Sequence, residues 1–180
     1  MITTWHQYRH APVVSYQDSD LAGQIAQAIV NPSDLRICAL LCNTASARQR
    51  QLLLPSDVLH VDQRQVIINS ATDLIAPHEV WRLQPLLKLN YSPLRKGVYT
   101  ESGKRLGIVY DFSFETENWY IHKLHVRPGL FGTVRRDQPF IDRRQIIEIT
   151  THKIVVQDTK SLAPHLMTRP FGLGANQNPS

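Results

Sequence analysis

Apolar residues in this chain fall into short runs, and the runs occur twice. In the second half, Leu106–Phe114 and Trp119–Val126 are rich in β-branched and aromatic residues, which favour strands. The polar stretch FETEN between them reads as a hairpin turn, and NPSD plays that part in the first half. Two shorter strands close each half: Val58–Val61 with Gln65–Asn69, and Ile146–Thr150 with Lys153–Gln157. Alternation through the Trp119 strand predicts Tyr120, His122, Leu124 and Val126 on one face, with Ile121, Lys123, His125 and Arg127 on the other.

The two halves align. Gly23 matches Gly107, Ile25 matches Val109, Ile37 matches Ile121 and Leu40 matches Leu124, all 84 positions apart, as are Val14 and Val98. Further on, Val58, Leu59 and Val61 match Ile146, Ile147 and Ile149, and Val66–Ile68 matches Ile154–Val156, at a separation of 88. IAPH from Ile75 returns as LAPH from Leu162. Three blocks in one order at nearly one spacing point to duplication, with a longer middle loop in the second copy. Five or six short strands in each unit predict curling into a small barrel, which covers a core and removes strand edges.

The expected fold class is therefore all-β, two small barrels in tandem joined by a short helical linker. The boundaries are 1–76 for the first unit, 77–95 for the linker, 96–167 for the second unit and 168–180 for a flexible tail without periodicity. Pro77 suits the first turn of a helix, and Val80, Leu83 and Leu87 recur at near-helical spacing until Pro85 interrupts. Trp81 and the leucines are expected to dock this linker.

Composition adds bounds. At 42% hydrophobic and 19% charged, the 180 residues suit a folded protein. No run approaches a bilayer span and the first residues lack an apolar signal core, so the expectation is a soluble cytoplasmic protein. Residues 1–92 are formally neutral and residues 93–180 carry the whole +5. Cys38 and Cys42, four apart on an expected strand, would stand about 13 Å apart at roughly 3.3 Å per residue, too far for a disulfide. They are expected to be free, buried thiols.

Catalytic readings find little support. There is no nucleophile elbow, phosphate loop or dinucleotide fingerprint, and GLFGTV from Gly129 reads as a plain loop. His122 and His125 would point to opposite faces, so no joint metal ligation is expected. His78 and His165 follow Ala-Pro in both copies, which favours a structural role, and His6, His10, His60 and His152 cluster with no acid or cysteine. Glu115 and Glu117, with Asp111 close by, could pair for acid–base work, but in a solvated hairpin nothing would raise either pKa. No enzyme activity, catalytic residue, cofactor or metal is expected.

The valine, turn and Leu106-Gly107-Ile108-Val109-Tyr110-Asp111, followed by a polar hairpin and an apolar strand, resemble the PRC-barrel. So do LLPSDVLHV and the closing VIIN and IVVQ strands. The resemblance covers about residues 12–72 and 96–160. The family includes the cytoplasmic domain of the photosynthetic reaction-centre H subunit and the C-terminal domain of a ribosome-maturation factor. The first copy departs from the pattern, with Ala26 to Ala28 where the second has an aromatic and an acid. The resemblance implies a β-barrel adaptor that binds protein or ribonucleoprotein without chemistry. Gly23 and Gly107 match the family's turn glycine and are expected to be structural, through a positive φ or close backbone approach.

The candidate partner surface is the long loop RPGLFGTVRRDQPFIDRR, where Leu130 and Phe131 are surrounded by Arg127, Arg135, Arg136, Arg143 and Arg144. Apolar anchors ringed by arginine suit a protein interface. The expected function is a non-enzymatic adaptor or scaffold binding a protein partner through the second barrel. An RNA- or ribosome-associated maturation factor is the alternative, since arginines with an aromatic also suit phosphates and bases. Self-association into a homo-oligomer stays open.

Overall fold

The computed structural model describes residues 1–45, 49–62, 65–128 and 140–158. The chain is mostly β, in two sheets. The first sheet contains β2 (Pro12–Ser15), β3 (Leu21–Asn31), β4 (Arg36–Asn43), β5 (Gln51–Leu53), β6 (Val58–Val61) and β7 (Val66–Ile68), in the order β5-β4-β3-β2-β7-β6. The second contains β8 (Gly97–Thr100), β9 (Arg105–Glu115), β10 (Ile121–Arg127), β11 (Phe140–Asp142), β12 (Ile146–Ile149) and β13 (Lys153–Val156), in the order β11-β10-β9-β8-β13-β12. Strand for strand, the connections are the same. Each sheet has one parallel pairing, β2 with β7 and β8 with β13, and antiparallel neighbours otherwise.

The backbones agree in finer detail. Left-handed φ values occur at His10 (75°) and Arg95 (66°), Ser19 (56°) and Gly103 (84°), and Leu35 (55°) and Trp119 (62°). Each pair occupies matching places in the two sheets. His10 N–H donates to Ile25 O as Arg95 N–H donates to Val109 O, at 2.9 and 2.8 Å. Leu35 N–H donates to Asn31 O as Trp119 N–H donates to Glu115 O, at 2.9 and 2.8 Å. A left-handed leucine or tryptophan is uncommon enough that its recurrence at a matching hairpin is informative.

The first eight residues belong to the other half. β1 (Ile2–Thr4) pairs antiparallel with the end of β9, and the one-turn α1 (Trp5–Tyr8) packs on the same strand. Trp5 stacks on Phe112 at 5.7 Å, and Tyr8 meets Phe114 edge-on at 5.4 Å while donating to Asp62 O in the first half. The expected boundary at residue 76 therefore does not separate the pairing. One continuous core joins Val13, Ile25, Ile37 and Leu40 to Val98, Phe112, Phe114 and Leu124.

The hairpin tips cross between the sheets. Ile37 N–H donates to Trp119 O at 2.8 Å, and Ile121 N–H donates to Leu35 O at 2.9 Å. Arg36 and Tyr120 are bridged between these two bonds. Leu35 shares a cavity with β12, and Trp119 shares one with β6. Both tip residues are buried.

Several expectations change. Val14 is not the counterpart of Val98. Val13 pairs with Gly23 and Val66 as Val98 pairs with Gly107 and Ile154, so the first strand is shifted by one residue. In β10, a register shift between Ile121 and Lys123 turns Ile121 into the core beside Leu124 and Val126. Cys38 and Cys42 are free, yet only Cys42 is buried, its thiol pushed up to about 12 by loss of solvent. The linker consists of short 3-10 turns at Pro77–Glu79 and Trp81–Leu83 and then α2 (Gln84–Leu89). Trp81 does not dock it: the ring is 72% exposed beneath Arg82. Val80, Leu83, Leu86 and Leu87 do so, covering Ile29, Ala39 and Leu52 on the outer face of the first sheet. The expected tail, with Leu162–His165, lies outside the described residues.

Gly23 and Gly107 lie within strands rather than turns. A Cβ on Gly107 would meet Arg127 O at 2.1 Å, and one on Gly23 would meet Asn43 O at 2.8 Å. Close backbone approach is thus the reason for glycine. Gly107→Ala should lower unfolding stability by about 2–4 kcal/mol, because a strand backbone must move. Gly23→Ala should cost less, and denaturant titration of both variants checks the order.

Candidate functional site

Among the described residues, the outer face of the second sheet carries a run of aromatic side chains in mutual contact. Arg127, at the end of β10, places its guanidinium 5.3 Å from the Tyr110 ring centroid. Tyr110 meets His125 at 5.9 Å, and His125 meets Phe140 edge-on at 4.9 Å. These contacts form one continuous row across β9, β10 and β11. Tyr110 is 37% exposed and Phe140 56%.

His125 anchors the row. Its Nε2 lies 2.6 Å from Ser113 Oγ, and its ring is packed between Tyr110 and Phe140. Burial pushes its pKa below the ordinary histidine value; Asp111 works against that shift, and Lys123 adds to it. Asp111 lies outside the hairpin. It is buried in β9, where it accepts from His6 N–H at 3.0 Å and fixes α1 against the sheet.

A second cluster gathers around Tyr120, at the other end of β10. Arg143 lies 4.5 Å from its ring centroid and Arg36 lies 5.6 Å from it. Arg143 and Arg144 begin the 3-10 turn after β11, whose N-cap Asp142 accepts from Arg144 N–H at 3.0 Å. His122 stands 3.6 Å from Glu115, and Glu117 pairs with the N-terminal ammonium at 3.1 Å. Neither hairpin glutamate is buried, and no group of three or more metal-ligating side chains occurs among the described residues.

The described candidate arginines stand at opposite ends of β10. Arg127 stands at one end of β10, and Arg143 and Arg144 flank the other, about 20 Å away at the strand rise of roughly 3.3 Å per residue. Leu130, Phe131, Arg135 and Arg136 lie outside the described residues. Sequence reasoning missed Tyr110, His125 and Phe140 as surface groups. Tyr110 is the bulged residue of β9, between Val109 opposite Val126 and Asp111 opposite His125, so simple alternation did not mark it.

Comparison with known proteins bears on this half. Residues 89–163 match the PRC-barrel domain. The match begins at the end of the linker and takes in every strand of the second sheet except β1. The aromatic row thus lies on the PRC-barrel domain itself. No curated protein matches the chain. No helix among the described residues is long and apolar enough to cross a membrane.

The lowered pKa of His125 sets a pH dependence. The folded chain keeps the ring neutral, while the unfolded chain takes up a proton first as pH falls. Stability present at neutral pH is then lost through the ordinary histidine range. Thermal unfolding at about pH 7.5 and about pH 5.5 should show a drop that His125→Gln makes smaller.

Proposed function

We propose that the chain is a non-enzymatic cytoplasmic adaptor built from two PRC-barrel-type units by duplication, and that it engages a protein through the outer face of the second unit. The shared strand order, the matching left-handed residues and the one-residue correction at Val13 support duplication. One observation carries the binding role. Leu41 pairs with Leu52 in the first sheet where His125 pairs with Phe140 in the second. The first pair lies beneath the linker residues Val80, Leu83, Leu86 and Leu87. In the second, Tyr110 is 37% and Phe140 56% exposed, with His125 half-buried between them. Duplicated sheets with one covered and one displayed face suit a scaffold that offers a single surface.

Tyrosine, phenylalanine and arginine in contact are the residue types that dominate binding energy at protein interfaces. The RNA alternative draws on a neighbouring open cavity of about 600 Å³, lined by Arg95, Arg105, His152 and Lys153 beside Tyr99. Basic side chains around an aromatic also suit phosphate contact and base stacking.

Affinity capture with the full chain separates these readings. The protein reading predicts nuclease-resistant capture of a defined partner, weakened about tenfold or more by Tyr110→Ala with Phe140→Ala. Capture lost on nuclease treatment, with affinity falling steeply with salt, would favour RNA. Unchanged capture by the double variant would remove the aromatic row from the account.

A further inference from the structure

The junction of the two halves contains a groove that the adaptor reading leaves unused. Its cavity of about 340 Å³ runs over Ala26 and Ala28 of β3, with Trp5 and Phe112 at its apolar side. Ala26 and Ala28 occupy the places of Tyr110 and Phe112 in the matching strand.

Three arginines line this groove from three separate segments of the chain. Arg9 follows α1, Arg50 precedes β5, and Arg95 precedes β8. Arg50 is oriented by Asn43, whose Oδ1 accepts from its Nε at 3.1 Å. Arg95 is held in the left-handed region at φ 66°, with its N–H on Val109 O. The left-handed φ and the N–H bond recur at His10, so this backbone geometry belongs to the fold and sets the direction in which Arg95 leaves the chain. No acidic residue lines the groove, and among the described residues no carboxylate pairs with any of the three arginines. Ser92 adds a hydroxyl.

We propose that this groove binds a phosphate monoester of a small molecule, with Arg9, Arg50 and Arg95 on the phosphate and an aromatic or apolar body over Ala26 and Ala28. Arginine is suited to this because its planar fork matches phosphate oxygens two at a time. A cavity of this size suits a small ligand rather than a polymer. The inference is independent of the aromatic row on the second sheet.

Amide chemical-shift titration of the full chain with phenyl phosphate, at constant ionic strength, tests it. Saturable shifts are expected at Arg9, Ala26–Ala28 and Ser92–Arg95. Arg9→Gln with Arg95→Gln should weaken binding at least about tenfold, since each lost charge-assisted contact is worth a measurable factor. Lys104→Gln, in the exposed turn before β9, should leave it unchanged. Inorganic phosphate should bind more weakly than phenyl phosphate, and Ala26→Phe should block the ester. Shifts that never saturate, that spread over basic residues generally, or that survive the double substitution would overturn the proposal. Equal binding of inorganic phosphate would overturn its claim about the ligand's body.

Discussion

Two backbone hydrogen bonds, given in opposite directions, set the arrangement of the whole chain. Ile37 N–H reaches Trp119 O, and Ile121 N–H reaches Leu35 O. Each bond leaves a hairpin of one sheet and ends on the hairpin of the other. The exchange requires both tips to turn in the left-handed region, and this is why Leu35 and Trp119 tolerate a positive φ. A buried hydrogen bond contributes only about 0.5–1.5 kcal/mol net, but leaving its partners unpaired costs more. The tips are therefore held in register. Their apolar side chains are carried into the core, with Trp119 stacked on Phe114.

From that junction the inner faces lose their independence and the outer faces keep theirs. The inner faces of both sheets merge into one buried cluster, strengthened by Trp5 and Tyr8 from the N-terminus. Neither half folds its apolar surface away by itself. The outer faces have no such constraint, and they differ. One lies under the linker, and the other displays Tyr110, His125 and Phe140. Function is accordingly sought on the outer face and in the junction groove, where sequence difference between the halves has changed shape without disturbing the core.

Much of this was legible in the residues. The strand-rich character, the strand ends at Val58–Val61 and Ile146–Ile149, and the special place of Gly107 follow from alternation and from the doubled pattern. The N-terminal strand was not legible, because Ile2–Thr4 is too short for periodicity and its partner lies more than 100 residues away. The register of β10 misled, because a bulge moves Ile121 to the other face and alternation assumes none. Trp81 misled for a different reason: size and apolarity suggest docking, yet the spacing of Val80, Leu83 and Leu87 leaves it on the far side of the linker. The aromatic row escaped notice because its members come from three strands, and arginine density in one loop is a louder signal than scattered rings.

The claim on which the rest depends is that the crossed hairpin tips make one cooperative unit of two similar sheets. Native-state hydrogen exchange across a denaturant series measures this directly. The account predicts that the amides of Ile37 and Ile121, together with core amides of β3 and β9, open with one shared free energy and one shared denaturant slope. Separate openings, with one sheet exchanging while the other keeps full protection, would contradict it.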